Sequence, residues 1–240
     1  MINMEKNRSI PKHIAIQMDG NRRWGKEHTG NAYDGHREGA KTLEKICEYC
    51  KKIGVKILTV YALSIENIEK RDKEELTIHF GLHKKYIKKW ILESDKFTKN
   101  KIRFRVLGRK ELLPKDEQEI IREAEEKTKD FSGLIFNVCL CYNGRDEIVD
   151  SVKEIIKIGY KPEEITREII KKHLYTSNIP PPDMIIKTGM NPEKRISDFL
   201  LYDIGYTELF FTSTYWPDFT PEELDKLIDE FNVRERRFGK

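Results

Sequence analysis

Short apolar runs alternate with longer amphipathic segments along the chain, and this alternation constrains the fold more than any other feature. The runs at 13–18, 55–61 and 134–140 are rich in Ile, Val and Leu, as buried strands are. Between them, segments such as 39–52 and 72–94 carry apolar residues at three- and four-residue spacing. Strands that alternate with helices favour a parallel sheet covered by helices. The sequence therefore predicts an α/β fold with a mostly parallel central sheet.

The rest of the chain continues this pattern up to a well-marked final helix. Strict alternation at 102–107 predicts a third long strand with one solvated face. The segment TPEE at 220–223 is a capping box with proline at the first helical position, which predicts that the last helix begins there. Further strands are predicted at 183–187 and 208–212, and further helices at 115–129, 146–157 and 166–174.

Length and composition limit the class of protein. A chain of 240 residues, 10% of them aromatic, can build one large core and is not typical of disordered proteins. No run approaches the roughly 20 apolar residues of a membrane-spanning helix. The net charge of +4 comes from interleaved charges and does not indicate nucleic-acid binding. We therefore predict a cytoplasmic protein with an N-terminal tail over 1–12, a single domain over 13–240 and no nucleic-acid partner.

Four cysteines raise the alternative of a metal site. Cys47 and Cys50 share one face of a predicted helix, and Cys139 and Cys141 lie in an apolar run. Neither pair sits in the knuckle-like turn of a zinc site, so buried core thiols are favoured over zinc ligands.

Three polar clusters, at 19–24, 64–67 and 187–197, follow predicted strands. In parallel sheets, ligands bind beyond the carboxyl ends of the strands. The first cluster, DGNRRW, combines a carboxylate, a flexible glycine and two guanidinium groups where a helix begins, which suits a phosphate anion. A carboxylate beside a diphosphate implies a bridging Mg²⁺, so Asp19 indicates a metal–diphosphate site. The alternative is that Asp19 only caps a basic surface helix.

Two further features could bind anions or be solvated surface. His36 could donate to a phosphate or be a satisfied turn histidine. The loop 187–197 carries cations and hydroxyl groups, as phosphate sites and ordinary basic loops both do. A third basic cluster, RERRFG at 234–239, contains a phenylalanine and a glycine that are unusual in a soluble tail.

At these residues the chain resembles the cis-prenyltransferases, the family of undecaprenyl and dehydrodolichyl diphosphate synthases. The resemblance runs in order from about 12 to 239, and eight blocks in register make it specific. The matching blocks are HIAIQMDGNRRW at 13–24, GH at 35–36 with GA at 39–40, LTVYALSIEN at 58–67, NVCLCYNGR at 137–145, RISDFLL at 195–201, YTELFF at 206–211, WPDF at 216–219 and RERRFG at 234–239.

The resemblance implies a homodimeric α/β fold of the undecaprenyl diphosphate synthase type, whose sheet and helices enclose an apolar tunnel. It implies a Mg²⁺-dependent enzyme that condenses an allylic prenyl diphosphate with isopentenyl diphosphate, releases diphosphate and makes a cis double bond. A long apolar product further implies possible peripheral association with a membrane.

The resemblance also assigns roles to individual residues. Asp19 and Glu208 would be the metal carboxylates, and Asp19, Ser64 and Asn67 would be catalytic. The residues expected to bind the two substrates are Gly20, Asn21, Arg22, Arg23 and His36 for the allylic diphosphate, Lys187, Arg195 and Ser197 for isopentenyl diphosphate, and Arg237 and Gly239 in a tail that reaches the partner's site. Trp24 is also expected to bind substrate.

Departures from the family pattern fall mostly on the isopentenyl side. Lys187 stands where the family usually has arginine, the loop around 190–192 is two residues longer, and Leu63 and Ile68 replace aromatic residues. These departures leave open a variant enzyme that uses a second allylic diphosphate or another acceptor. A non-catalytic partner subunit is less favoured, because the Asp19 loop is intact. An RNA- or phospholipid-binding protein is weaker still, because the sequence has no concentrated basic stripe.

Overall fold

The computed structural model describes residues 8–192 and 194–234, and a parallel sheet forms its centre. Within these residues the sheet has six strands in the order β3-β4-β2-β1-β5-β6, and every neighbouring pair is parallel. The predicted α/β fold is therefore confirmed. The strands are β1 (His13–Gln17), β2 (Ile57–Ser64), β3 (Ile102–Leu107), β4 (Leu134–Tyr142), β5 (Met184–Lys187) and β6 (Glu208–Phe211).

Helices connect the strands and cover both faces of the sheet. The helices are α1 (Asn21–Thr29), α2 (Ala32–Ile53), α3 (Ile65–Lys70), α4 (Lys73–Ile87), α5 (Lys96–Lys99), α6 (Lys115–Thr128), α7 (Gly144–Ile158), α8 (Arg167–His173) and α9 (Pro221–Val233). A π-helical turn, Lys88–Leu92, follows α4, so the helix predicted over 72–94 changes its hydrogen-bonding pattern after Ile87.

The two faces of the sheet bury different side chains because strand residues alternate in direction. On one face, Ile14 and Ile16 of β1 belong to a large core that also includes Ile46 of α2. On the other face, Ala15 of β1 packs in a smaller core with Tyr61 of β2. The four cysteines are free and buried in these two cores, as the sequence predicts for core thiols.

Helix α2 begins at Ala32, seven residues before the predicted start at Gly39. Asn31 caps it, with its side chain accepting from the backbone N–H of Tyr33 at 3.0 Å. Glycine has a low helix propensity, which hides the first two turns in the sequence. The structure explains these glycines, because a Cβ on Gly35 would lie 1.8 Å from the carbonyl oxygen of Asn21. Helices α1 and α2 therefore pack with their backbones in close contact.

Residues 8–12, the described part of the predicted N-terminal tail, contact the rest of the domain. Arg8 forms ion pairs with Asp225 and Asp229 of α9 at 2.5 and 2.9 Å. The Asp183 carboxylate accepts from the backbone N–H groups of Lys12 and His13 at 2.7 and 2.9 Å. Residues 8–12 therefore pack on the domain, because acidic groups distant in sequence bind them. Among the described residues, no helix combines the length and apolar character needed to cross a membrane.

Candidate active site

The candidate site lies where the strand order reverses, between β1 and its neighbour β5. From β1 the chain moves first to β2 on one side and later to β5 on the other, which opens a crevice at the carboxyl ends of these strands. Thr188, directly after β5, ties the two loops together: its hydroxyl group lies 2.9 Å from the backbone nitrogen of Asp19 and 2.8 Å from its carbonyl oxygen. The first and third polar clusters therefore lie side by side at the carboxyl edge of the sheet, as the sequence predicts.

The loop after β1 presents a helix N-terminus and a partly exposed carboxylate. Gly20 adopts φ 98°, and a Cβ there would lie 2.6 Å from the ring of Tyr215, so this tight turn requires glycine. Gly20, not Asp19, is the N-cap of α1, so the interpretation of Asp19 as a simple helix cap is wrong. The Asp19 carboxylate accepts from the Gly20 N–H at 2.6 Å and pairs with Arg23 at 3.2 Å. Backbone N–H groups and a guanidinium group thus converge beside a carboxylate.

A buried lysine forms the opposite side of the crevice. Lys187 is 1% exposed, its Nζ donates to the Ser197 hydroxyl group at 2.9 Å, and its distance to the Asp19 carboxylate is 4.0 Å. Burial lowers the pKa of Lys187, the charges of Arg195 and Arg23 lower it further, and Asp19 opposes them. Ser197 itself has φ 46°, in the left-handed region, so the backbone is strained where it meets the lysine. This side of the crevice holds a cation that lacks full compensation.

The second polar cluster joins the same crevice through the end of β2. Ser64 ends β2, and its hydroxyl group accepts from the backbone N–H of Asn67 at 3.1 Å, so it caps α3. Both residues line the cavity described below. Asn143, at the start of α7, contacts Glu66 and so connects this loop to the end of β4. The capping bond therefore fixes the position of the Ser64–Asn67 loop between the two cationic sides.

A cluster of two arginines, a glutamate and two histidines forms the third wall. The Glu75 carboxylate accepts from Arg22 through both oxygens, at 3.0 and 2.9 Å, and pairs with Arg71 at 3.3 Å. Arg71 also contacts Nε2 of His79, whose ring packs edge-on against His36 at a centroid distance of 4.2 Å. The Glu75 side chain is 4% exposed, so one buried carboxylate compensates two guanidinium groups.

The two histidines of this cluster are neutral at physiological pH. Burial lowers the pKa of His36 to about 3 and that of His79 to about 2, and nearby arginines lower both further. Nε2 of His36 is buried and, among the described residues, lacks a hydrogen-bond partner. His36 is therefore not the satisfied turn histidine of the alternative interpretation.

Within the described part of the chain, His36, Glu75 and His79 are the group whose ligand atoms could hold a metal ion, since they lie within 4.8 Å of one another. The carboxylate of this group is already compensated by Arg22 and Arg71, which disfavours a further cation. Mg²⁺ also prefers oxygen ligands and usually retains phosphate oxygens and water. The Asp19 carboxylate beside the helix N-terminus suits Mg²⁺ with a diphosphate better than this group does.

The crevice is the mouth of a cavity of about 930 Å³, and the inner part of this cavity is apolar. The cavity passes between the sheet, on the face of the larger core, and helices α2 and α4. Its wall combines aromatic and aliphatic side chains, and the residues farthest along α4 belong to the π-helical turn. The apolar residues that line it include Ala40, Leu43, Leu63, Ile87, Trp90, Ile91, Phe104, Phe136, Val138 and Leu140. An anion site at the mouth of a long apolar cavity suits an amphiphile with an anionic head.

Most of the predicted site residues meet at this cavity. Lys187 contacts Asp19 and Ser197 just behind its wall, and the charge of Arg195 acts on Lys187. The predicted residues that line the cavity are Asp19, Gly20, Asn21, Arg22, Arg23, His36, Ser64, Asn67 and Ser197.

Two predicted residues lie elsewhere, and two lie outside the described residues. The Trp24 indole donates to Asp218 at 2.7 Å and stacks on His28, so its side chain is not part of the cavity wall. Glu208 begins β6, in register with Met184 at the start of β5, and pairs with Arg234 at 2.8 Å. The carboxyl ends of the strands lie roughly 10 Å farther along, so the structure does not bring Glu208 to Asp19 within one chain. The predicted roles of Arg237 and Gly239 concern residues outside the described part.

Arg71, Glu75 and His79 are members of the site that the sequence motifs did not predict. A usable signal exists, because these residues and His83 follow one another at four-residue spacing, which is typical of one helix face; in the structure Glu75, His79 and His83 lie on α4 and Arg71 lies just before it. Such a face is usually solvated, so the spacing alone does not distinguish a site from a surface.

Comparison with known proteins identifies the family. Residues 17–239 match the family model described as "Putative undecaprenyl diphosphate synthase". This chain belongs to that prenyltransferase family.

Individual relatives of this prenyltransferase cover nearly its whole length. An isoprenyl transferase from Fusobacterium nucleatum is 50% identical over 98% of each chain. A "tritrans,polycis-undecaprenyl-diphosphate synthase (geranylgeranyl-diphosphate specific)" from Pyrococcus horikoshii is 44% identical over 100% of this chain and 91% of the relative. The fold is similar to a lavandulyl diphosphate synthase from Lavandula x intermedia in complex with dimethylallyl diphosphate. The TM-score is 0.87 at 28% identity, over 96% of this chain and 98% of the other.

Proposed function

We propose that this prenyltransferase uses Mg²⁺ to condense an allylic prenyl diphosphate with isopentenyl diphosphate, releasing diphosphate and forming a cis double bond. The observation that carries the proposal is that one cavity of about 930 Å³ has the anion site at Asp19–Arg23 at its mouth and apolar walls farther in. An allylic prenyl diphosphate has the same division into an anionic head and an apolar chain. The family membership and the 44–50% identical relatives support the same reaction class.

The first substrate's diphosphate would bind at the N-terminus of α1. The free N–H groups of the first helical turn and the Arg22 and Arg23 guanidinium groups are donors that suit phosphate oxygens. The unpartnered Nε2 of His36 is the atom of that ring available to the ligand, and a neutral imidazole can donate one N–H. These donors would stabilise the charge that develops on the departing diphosphate.

Asp19 would hold the Mg²⁺, and its donor chemistry fits that ion. The carboxylate is an oxygen ligand, its side chain is 39% exposed, and it lies beside the N–H groups that would bind the diphosphate. Bound there, Mg²⁺ would supply further charge stabilisation to the leaving group. Glu208 is not part of this donor set within one chain.

The second diphosphate would bind to Lys187, Arg195 and Ser197. The uncompensated charge of Lys187 favours an anion there, and the exposed Arg195 could contact it from solvent. Ser64 and Asn67 lie between the two cationic sides, where the two reacting carbon atoms would meet. Their polar groups would orient the isopentenyl chain during bond formation and proton loss.

We further propose that the enzyme is a cytoplasmic homodimer and contacts membranes through its product. Val149, Val152 and Ile156 form an exposed apolar stripe on α7, which supports burial against another surface. The cavity offers a growing prenyl chain an apolar environment, and a membrane would receive it afterwards. An intact Asp19 loop argues against a non-catalytic partner subunit.

The decisive experiment measures product mass. Purified protein is incubated with Mg²⁺ and allylic diphosphates of several lengths, with and without isopentenyl diphosphate. A ladder of five-carbon additions that requires isopentenyl diphosphate supports the proposal. The NMR spectrum of the product then tests whether the new double bonds are cis. A product formed without isopentenyl diphosphate would instead favour the variant that uses another acceptor.

Asp19→Asn tests the assigned metal carboxylate. We expect it to lower kcat by roughly a hundredfold or more, because the Mg²⁺ that would stabilise the charge on the leaving diphosphate loses its carboxylate ligand. The fold should be retained. Asp116→Asn is the matched control, since Asp116 pairs with Lys84 on the surface and its side chain is 61% exposed. Near-wild-type turnover in Asp19→Asn would contradict the assignment.

A further inference from the structure

Glu75 is a buried carboxylate at the anion site to which neither the sequence motifs nor the family comparison assigns a role. It lies in the first turn of α4, whereas its two arginine partners come from α1 and from the segment after α3. Arg22 and Arg71 both line the cavity mouth. Three chain segments therefore meet at one carboxylate immediately behind the loop proposed to hold the allylic diphosphate.

We propose that Glu75 is a positioning residue that fixes Arg22 and Arg71 as a pair of donors for the allylic diphosphate. Two guanidinium groups at one mouth repel each other, and burial lowers the pKa of Arg71, to which the charge of Arg22 adds. The Glu75 carboxylate offsets one of the two charges, which leaves a net charge of about +1 facing the ligand. The inference rests on the proposed function, because it names the allylic diphosphate as the ligand.

The geometry leaves donors free for that ligand. Arg22 contacts both Glu75 oxygens through one nitrogen, Nη1, and its side chain is 49% exposed. An arginine carries five N–H donors, so Nη2 and Nε of Arg22 remain able to donate to phosphate oxygens. Glu75 thus holds the arginine by one end and directs the other end toward the mouth.

His79 completes the arrangement from the next turn of α4. Its Nε2 contacts Arg71 and must accept that hydrogen bond, because a guanidinium group has no lone pair to offer. The proton of neutral His79 therefore resides on Nδ1. Since His79 packs edge-on against His36, the Glu75–Arg71 pair also sets the surface on which the His36 ring rests.

The proposal is tested with Glu75→Gln, which keeps the shape of the side chain and removes its charge. Steady-state kinetics should show KM for the allylic diphosphate raised about tenfold and KM for isopentenyl diphosphate changed less than twofold. Asp150→Asn is the matched control, because Asp150 also binds an arginine bidentately, Arg109, away from the cavity. The control should change neither KM.

A double-mutant cycle separates positioning from a general structural role. If Glu75 acts through Arg22 and Arg71, Glu75→Gln should raise KM for the allylic diphosphate by a smaller factor in the Arg71→Gln background than in the wild type, because only Arg22 is then left to position. Multiplication of the two effects, or an equal rise of both KM values in Glu75→Gln, would overturn the proposal. Arg71→Gln leaves Glu75 paired with Arg22, so it provides a folded variant even if Glu75→Gln is unstable. If the wild-type protein shows no prenyl transfer, the proposed function itself is refuted. If the wild type is active but Glu75→Gln leaves the KM for the allylic diphosphate unchanged, only the role of Glu75 is refuted.

Discussion

Replacing Lys187 with methionine should stabilise the ligand-free protein while abolishing binding of the second diphosphate. Lys187 is 1% exposed, donates to Ser197 at 2.9 Å and lies 4.0 Å from Asp19. At that distance the attraction is about 4 kcal/mol for an effective dielectric constant of about 20. The Asp19 side chain is 39% exposed, so solvent reduces this gain substantially.

The expected magnitude follows from comparing this attraction with the cost of burial. The direction of the Lys187 pKa shift indicates that burial and the charges of Arg195 and Arg23 outweigh Asp19. Replacing buried ionic groups with apolar groups of similar volume is often neutral or stabilising by about 1–4 kcal/mol. We expect the free energy of unfolding to rise by about 1–2 kcal/mol in Lys187→Met, because exposed Ser197 regains water as a partner.

The assay combines urea-induced unfolding with calorimetric titration of isopentenyl diphosphate. Lys171→Met is the matched control, because Lys171 pairs with both oxygens of Asp203, at 2.8 and 2.7 Å, and Asp203 is only 8% exposed. Removing that lysine leaves a buried carboxylate unpaired and should cost about 3–5 kcal/mol. The two substitutions should therefore have opposite signs. If Lys187→Met destabilises the protein as Lys171→Met does, or binds the diphosphate with unchanged affinity, the reasoning is refuted.

Two further predictions concern packing and protonation. Gly35→Ala should lower the free energy of unfolding by about 1–3 kcal/mol and reduce turnover, because its Cβ would displace α1 from α2. The control Gly81→Ala, which has open space at its Cβ, should instead stabilise α4 by up to about 1 kcal/mol. Urea titrations of both variants measure this, and equal effects would contradict it. Burial lowers the pKa of His13 to about 4, of His36 to about 3 and of His79 to about 2, so below pH 6.5 the unfolded chain binds protons that the folded chain excludes. The free energy of unfolding should fall as pH drops from 6.5 toward 4, by about 1.4 kcal/mol per pH unit for each histidine. His79→Gln should reduce the slope of unfolding free energy against pH by about a third. An unchanged slope would show that His79 is protonated in the folded state.

The fold was largely predictable because strand and helix periodicity is local. The strand at 102–107 is predicted to the residue, since its alternation matches an edge strand with one side partly exposed. The start of α2 was not predictable, because Gly35 and Gly39 weaken the helical signal. A tertiary contact explains why both residues are glycine, because a Cβ on either of them would clash with Asn21 of α1. Local propensity and packing against the preceding helix α1 conflict at these positions, and packing decides.

The site was predictable where a loop follows a strand and unpredictable where a helix face turns inward. Asp19 lies directly after β1, so the rule for parallel sheets is sufficient to find it. Glu208 illustrates the opposite case: it begins the strand predicted at 208–212, so it lies toward the far edge of the sheet, and only the family resemblance assigned it to the metal site. Glu75 belongs to a polar helical face that resembles a solvated surface, and only its ion pair with Arg22 of α1 shows that it is buried at the site.

The direction of two helices explains how one cavity is ionic at its mouth and apolar farther in. Helices α2 and α4 both begin near the carboxyl edge of the sheet and run away from it. Along α2 the lining residues change from His36 to Leu43, and along α4 and its π-helical extension they change from His79 to Ile87 and Trp90. A helix rises about 1.5 Å per residue, so the 11 steps from His79 to Trp90 span roughly 17 Å. A prenyl chain that grows with its diphosphate fixed at Asp19–Arg23 would therefore extend along increasingly apolar walls, and each added unit would leave water.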